Sequence, residues 1–163
     1  VALDQVGEWQ SENGEYDKAL ATFSRAINAG GGSDVYTTKN MGGLLIVAKH
    51  DYHDAIEYLV GSLRIDPYQP DVISELAFCY EQLGDMQNAL WNLKRGLDYL
   101  PNDPLLHRRL GEDFERLGSY QAALEQFTLA LQTLPDDAES LNDRNQLLEK
   151  LKQTQTTAKT RPG

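Results

Sequence analysis

The sequence predicts an all-α chain: a right-handed helical solenoid of four helix–turn–helix repeats closed by a C-terminal capping helix. Three observations predict it. Ala19, Ala55, Ala89 and Ala123 sit in four similar segments and recur at intervals of 36, 34 and 34 residues. Within those segments apolar or small residues return at helical spacing, as in Ala123, Leu124, Phe127, Ala130 and Leu131, which share one face of a helix. Glycine and proline punctuate the pattern at matching places, Gly14, Gly84 and Gly118 before the second helix of a repeat and Pro67, Pro101 and Pro135 after it.

The repeats fall at about residues 1–33, 36–69, 70–103 and 104–137. In each first helix a small residue, Gly7, Gly43, Ala77 or Gly111, marks where two backbones approach. His50 replaces the turn glycine in the second repeat, and histidine tolerates a positive φ better than most residues. Tyr16, Tyr52 and Tyr120, with Met86 in the third repeat, open the second helices, which carry Phe23, Leu59, Leu93 and Phe127 as their large apolar residue. The two extra residues of the first interval are assigned to the loop Gly30-Gly31-Gly32. Two readings of that junction stand: a loose second repeat, with Gly42-Gly43 weakening its first helix, or a hinge after repeat one. The capping helix is placed at about 138–153, with Leu141, Leu148 and Leu151 inward, and the polar stretch 154–163 reads as a disordered tail. The first helix begins almost at the chain start, so the chain is expected to be a piece of something larger, with Trp9 facing a missing repeat or a partner.

Composition narrows the function. With 40% hydrophobic and 25% charged residues the chain belongs with folded, water-facing proteins, and no apolar run reaches the roughly 20 residues of a membrane helix. A formal net charge of −10 argues against nucleic acid, whose phosphates attract clustered Lys and Arg. No membrane insertion and no cofactor are expected. Cys79, the one cysteine, lies in an apolar helical pattern and reads as a buried, inert thiol. His50 and His53, interleaved with Asp51 and Asp54, have the look of a ligand set, but the repeat pattern makes them the turn of repeat two and the start of its second helix. His107 stands far from them in sequence, no nucleophile–base arrangement follows from the repeat, and the chain is read as no enzyme.

A 34-residue helix–turn–helix unit with these small, aromatic and proline positions resembles the tetratricopeptide repeat, and the resemblance covers nearly all of the chain through Asp137. It implies a concave groove, lined mainly by the first helices, that binds an extended or helical segment of another protein. In the family's frame that lining is Asp4, Glu8 and Glu12 from repeat one, then Asn40, Met41 and Leu44, then Ser74, Glu75 and Phe78. Repeat four adds Leu105, Arg108, Arg109, Glu112 and Arg116. Such a groove would offer acids at one end, Met41, Leu44 and Phe78 as an apolar middle, and arginines at the other end for a carboxylate. The bland alternative is local pairing, such as Arg108 with Glu112 one helical turn on. Members that clamp an acidic chaperone tail use Lys, Asn and Arg at places held here by Asp4, Glu8, Met41, Asp71 and Glu75, or one repeat on by Asn40, Leu44, Ser74, Leu105 and Arg109; neither set makes the clamp, which disfavours that subtype. Trp91 marks a second surface, or else packs over the edge of a neighbouring repeat. A self-assembling scaffold, or a partner-recruiting region of a larger enzyme or of a secretion or assembly complex, are the other roles considered.

Overall fold

The computed structural model describes residues 2–31 and 34–159. Its regular structure among those residues is entirely helical: α1 (Leu3–Glu12), α2 (Tyr16–Ala26), α3 (Val35–Leu44), α4 (Tyr52–Ile65), α5 (Pro70–Gln82), α6 (Met86–Tyr99), α7 (Pro104–Arg116), α8 (Tyr120–Thr133) and α9 (Ala138–Lys159). Two π-helical turns, Ile27–Gly31 and Leu45–Lys49, prolong α2 and α3. The helices divide between two compact units, Val1–Tyr99 and Leu100–Gly163. Unit one holds the antiparallel pairs α1/α2, α3/α4 and α5/α6; unit two holds α7/α8 and the trailing α9.

Several helices start at a side-chain cap. Asp34, Asp51, Asp103 and Asp137 accept hydrogen bonds from the backbone N–H groups of Thr37, Asp54, Leu106 and Ser140. Pro70 and Pro104 occupy the first turns of α5 and α7, where a missing N–H costs nothing. The turns inside three repeats are built on one plan. Gly14, Gly84 and Gly118 have φ of 74°, 77° and 74°, and the next residue's N–H closes on the carbonyl five residues back, as Asp85 does on Tyr80 at 2.8 Å.

The second repeat departs from that plan by one residue. His50 takes the left-handed position with φ 52°, as the sequence led us to expect. Asp51 N–H, however, closes on Leu45 six residues back, because the π turn Leu45–Lys49 holds an extra residue. The small residue of α3 is accordingly Gly42, not Gly43. A Cβ on Gly42 would stand 2.7 Å from Leu59 Cδ2, as one on Gly7 or Gly111 would from the ring of Phe23 or Phe127. Gly43 faces the Glu75 carboxylate instead, at 3.8 Å. One surplus residue of the long first interval therefore lies in α3's π turn, and the other lies between Phe23 and Gly42; they are not both in the glycine loop. Residues 32 and 33 of that loop lie outside the described residues. Across the junction, the Thr37 hydroxyl stands 2.7 Å from Asp4 and 3.0 Å from Asp34.

Unit one packs Phe23, Met41, Leu44, Leu45, Leu59 and Leu76 into one core. In unit two Ala123, Phe127 and Leu147 form the centre, with Phe114, Tyr120 and Leu151 against them. Leu147 is the inward residue of α9, whereas Leu148 is 37% exposed; four positions before Leu151 on a helix of 3.6 residues per turn place the buried stripe on Leu147. Helix α9 runs on to Lys159, six residues beyond the expected end, and 160–163 of the expected tail lie outside the described residues.

Candidate functional site

In unit one the helices α1, α3 and α5 present one side chain row each to a cavity of about 350 Å³. Glu8, Ser11 and Glu12 come from α1, Lys39, Asn40 and Gly43 from α3, and Glu75 from α5. Gly43 leaves the cavity open because no side chain rises from it. Its neighbour Glu75 is half-buried, and one of its carboxylate oxygens is buried with no hydrogen-bond partner. Burial and the nearby Asp71 push the Glu75 carboxyl above the usual carboxylate range, against the opposing pull of Lys39. Lys39 itself forms an ion pair with Asp71. On the α1 side the Tyr36 hydroxyl hydrogen-bonds the Glu8 carboxylate, which with burial raises the phenol above 10.

The sequence-derived lining divides into residues the fold brings to this cavity and residues it does not. Glu8, Glu12, Asn40, Leu44 and Glu75 are there. Asp4 accepts a hydrogen bond from Thr37. Met41 is buried in the core at 7% exposure, and Leu44 shows only its edge at 6%, so neither stands out as an apolar anchor. Phe78 is half-buried and meets Tyr52 edge-on, with ring centroids 6.0 Å apart. Ser74 is partly exposed on α5. Lys39, Gly43 and Val47 were missed, because the one-residue shift of α3 moves them into the row that Asn40, Met41 and Leu44 were expected to fill. The adjacent glycines at 42 and 43 were the only trace of that ambiguity.

In unit two the arginines are engaged by carboxylates of their own unit. Arg108 bridges Glu112 and Glu139, both at 2.7 Å, and Arg109 reaches the other oxygen of Glu112 at 2.6 Å. Arg116 pairs with the fully buried Asp113 at 2.9 Å, and Leu105 is half-buried at the start of α7. The arginines expected to meet a ligand carboxylate thus sit in a local network, the i,i+4 pairing of Arg108 with Glu112 included. His107 is buried, its Nε2 3.0 Å from the Pro101 carbonyl and its Nδ1 2.8 Å from the Gln126 side-chain oxygen. Among the described residues no group of three His, Cys, Asp or Glu side chains could hold a metal ion. No described helix is long and apolar enough to cross a membrane. Trp91 is 54% exposed, with the Arg95 guanidinium 5.1 Å above its ring.

Comparison with known proteins agrees with this architecture. Residues 47–112 match the family model described as tetratricopeptide repeat. The fold is that of tetratricopeptide repeats. It is 33% identical over 108 residues to the general transcriptional corepressor trfA of Dictyostelium discoideum, an alignment that takes in 65% of this chain and 8% of that protein. The crystal structure of the MamA protein superposes with a TM-score of 0.73 at 17% identity, over 99% of this chain and 94% of that one. YrrB, described as a TPR protein with an unusual peptide-binding site, gives a TM-score of 0.70 at 21% identity, over 93% and 78%. These structural likenesses carry the tetratricopeptide fold.

Proposed function

We propose that this tetratricopeptide chain is a non-catalytic interaction module that binds an extended or helical segment of a partner protein along the row presented by α1, α3 and α5. The observation that carries the reading is the open cavity over Gly43, with a Glu75 carboxylate oxygen buried beside it and lacking a hydrogen-bond partner. A buried acceptor without a donor is unfavourable, and a ligand N–H or ammonium group satisfies it. Glu8 and Glu12 add negative charge at the same cavity, while the one lysine there is already paired with Asp71. The favoured ligand is therefore a segment bringing a Lys or Arg side chain, or a free amino terminus, to Glu75. The peptide-binding site in YrrB's description and the likeness to a small part of a corepressor fit such a role, alone or within a longer polypeptide.

A blocking substitution tests this. Gly43→Phe fills the cavity at a helical position that tolerates a side chain, so the fold should persist. Peptides selected from a random library on the unaltered chain should lose binding to Gly43→Phe. Selected peptides that bind both proteins equally would remove the groove as their site.

A further inference from the structure

A second groove in unit one has the opposite character. It lies between α4 and α6 over α5 and encloses about 460 Å³. Ile73 and Leu76 are its buried floor, and Val60 and Leu63 line it from α4. Two exposed arginines, Arg64 and Arg95, stand at it from facing helices. Among the described residues neither takes part in an ion pair, although the chain carries a net charge of −10 and most of its other cations have found a carboxylate. The ground beside them is aromatic. Arg95 lies over Trp91, and Tyr99 meets Tyr68 edge-on with centroids 5.9 Å apart, Tyr68 being 61% exposed.

We propose that this groove docks an acidic segment of a partner protein, one that presents a large apolar side chain flanked by carboxylates. The apolar floor supplies the desolvated pocket that such a side chain fills. The planar guanidinium groups of Arg64 and Arg95 can each donate two parallel hydrogen bonds to a carboxylate. Arg95 is held for that task by its stacking on Trp91. Trp, Tyr and Arg are also the residue types that concentrate binding energy at protein interfaces. The glutamate-lined cavity of α1, α3 and α5 repels such a ligand, so the two grooves select segments of opposite charge and the second does not depend on the first.

The test uses the full chain and a fluorescein-labelled peptide with blocked ends, Asp-Glu-Asp-Leu-Phe-Asp-Glu-Asp, followed by fluorescence anisotropy at low salt. Binding is expected to weaken at least tenfold in the double variant Arg64→Glu, Arg95→Glu, and also when Leu-Phe of the peptide becomes Ala-Ala. Both substituted residues are exposed, and an unchanged thermal midpoint would show that the fold is intact. Gly43→Phe should leave this binding unaltered. Failure of the peptide to bind, or binding indifferent to the arginine reversal, overturns the proposal. A dimer seen by sedimentation that dissociates in the double variant would give the groove to a second copy of the chain and overturn it too.

Discussion

Gly42 and Leu59 are in contact across the α3/α4 pair: a Cβ on the glycine would stand 2.7 Å from Cδ2 of the leucine. Seventeen positions separate them, whereas the equivalent pairs Gly7 with Phe23 and Gly111 with Phe127 are sixteen apart. The extra residue sits in the π turn Leu45–Lys49, and it decides which side of α3 faces the core and which faces the candidate groove.

Gly42→Ala should therefore destabilise the chain by about 1–3 kcal/mol, the usual cost of forcing a methyl group into a packed contact. Gly43→Ala should do the reverse, because its Cβ meets nothing nearer than 3.8 Å and alanine is favoured over glycine in a helix by up to about 1 kcal/mol. Urea unfolding of the two variants side by side checks the one-residue assignment.

Removing Val47, an exposed residue of the π turn, should restore sixteen-residue spacing and an ordinary turn. The deletion variant is expected to keep its helical circular dichroism and unfold no earlier than the parent. Deleting Gln82, at the end of the regular helix α5, should instead pull α5 and α6 out of register and lower the thermal midpoint.

His50→Gly should stabilise, since a side chain in the left-handed region costs roughly 1 kcal/mol that glycine does not incur. Gly84→Ala should lose a similar amount, the Cβ there meeting no neighbour but the backbone disfavouring it at φ 77°. Both shifts are measurable by denaturant titration.

The architecture was legible because it rests on features written several times over. The alanines at about 34-residue spacing, the turn glycines and the apolar stripes of the second helices through Phe23, Leu59, Leu93 and Phe127 each fix the same pairing. The lining of the groove was less legible. It depends on the rotation of α3, and one residue absorbed in a π turn rotates that helix without leaving any composition signal beyond two adjacent glycines. Leu147 and Leu148 posed the same choice in α9, where neighbouring leucines give two candidate stripes. The engagement of Arg108 by Glu139 joins residues of different helices, so no local pattern announces it.

Burial raises the Cys79 thiol to about 12, with Glu75 and Glu81 adding to the effect. The thiol should resist Ellman's reagent at pH 8 in the folded chain and react at once in denaturant. An acid whose pKa is raised by folding contributes stability that is complete below the unfolded value near 9 and is lost as pH rises toward 12. Unfolding free energy should accordingly decline above pH 9, and Cys79→Ala should remove that part of the decline.

Glu75 obeys the same sign at a lower pH. Its carboxyl is raised from 4.5 chiefly by burial, so ionisation is resisted by the fold and stability drains as pH climbs past the ordinary carboxylate range. Glu75→Gln should raise the thermal midpoint at pH 7 and change it little at pH 4. The same substitution should weaken a groove ligand that brings a cation to this carboxylate.

Hydrogen–deuterium exchange tests the central claim most directly, comparing the free chain with the chain saturated by a library-selected peptide that carries a basic residue. Capture of the peptide along α1, α3 and α5 predicts added protection concentrated in those three helices, abolished by Gly43→Phe. Protection confined to α2, α4 and α6, or unaffected by Gly43→Phe, would contradict it.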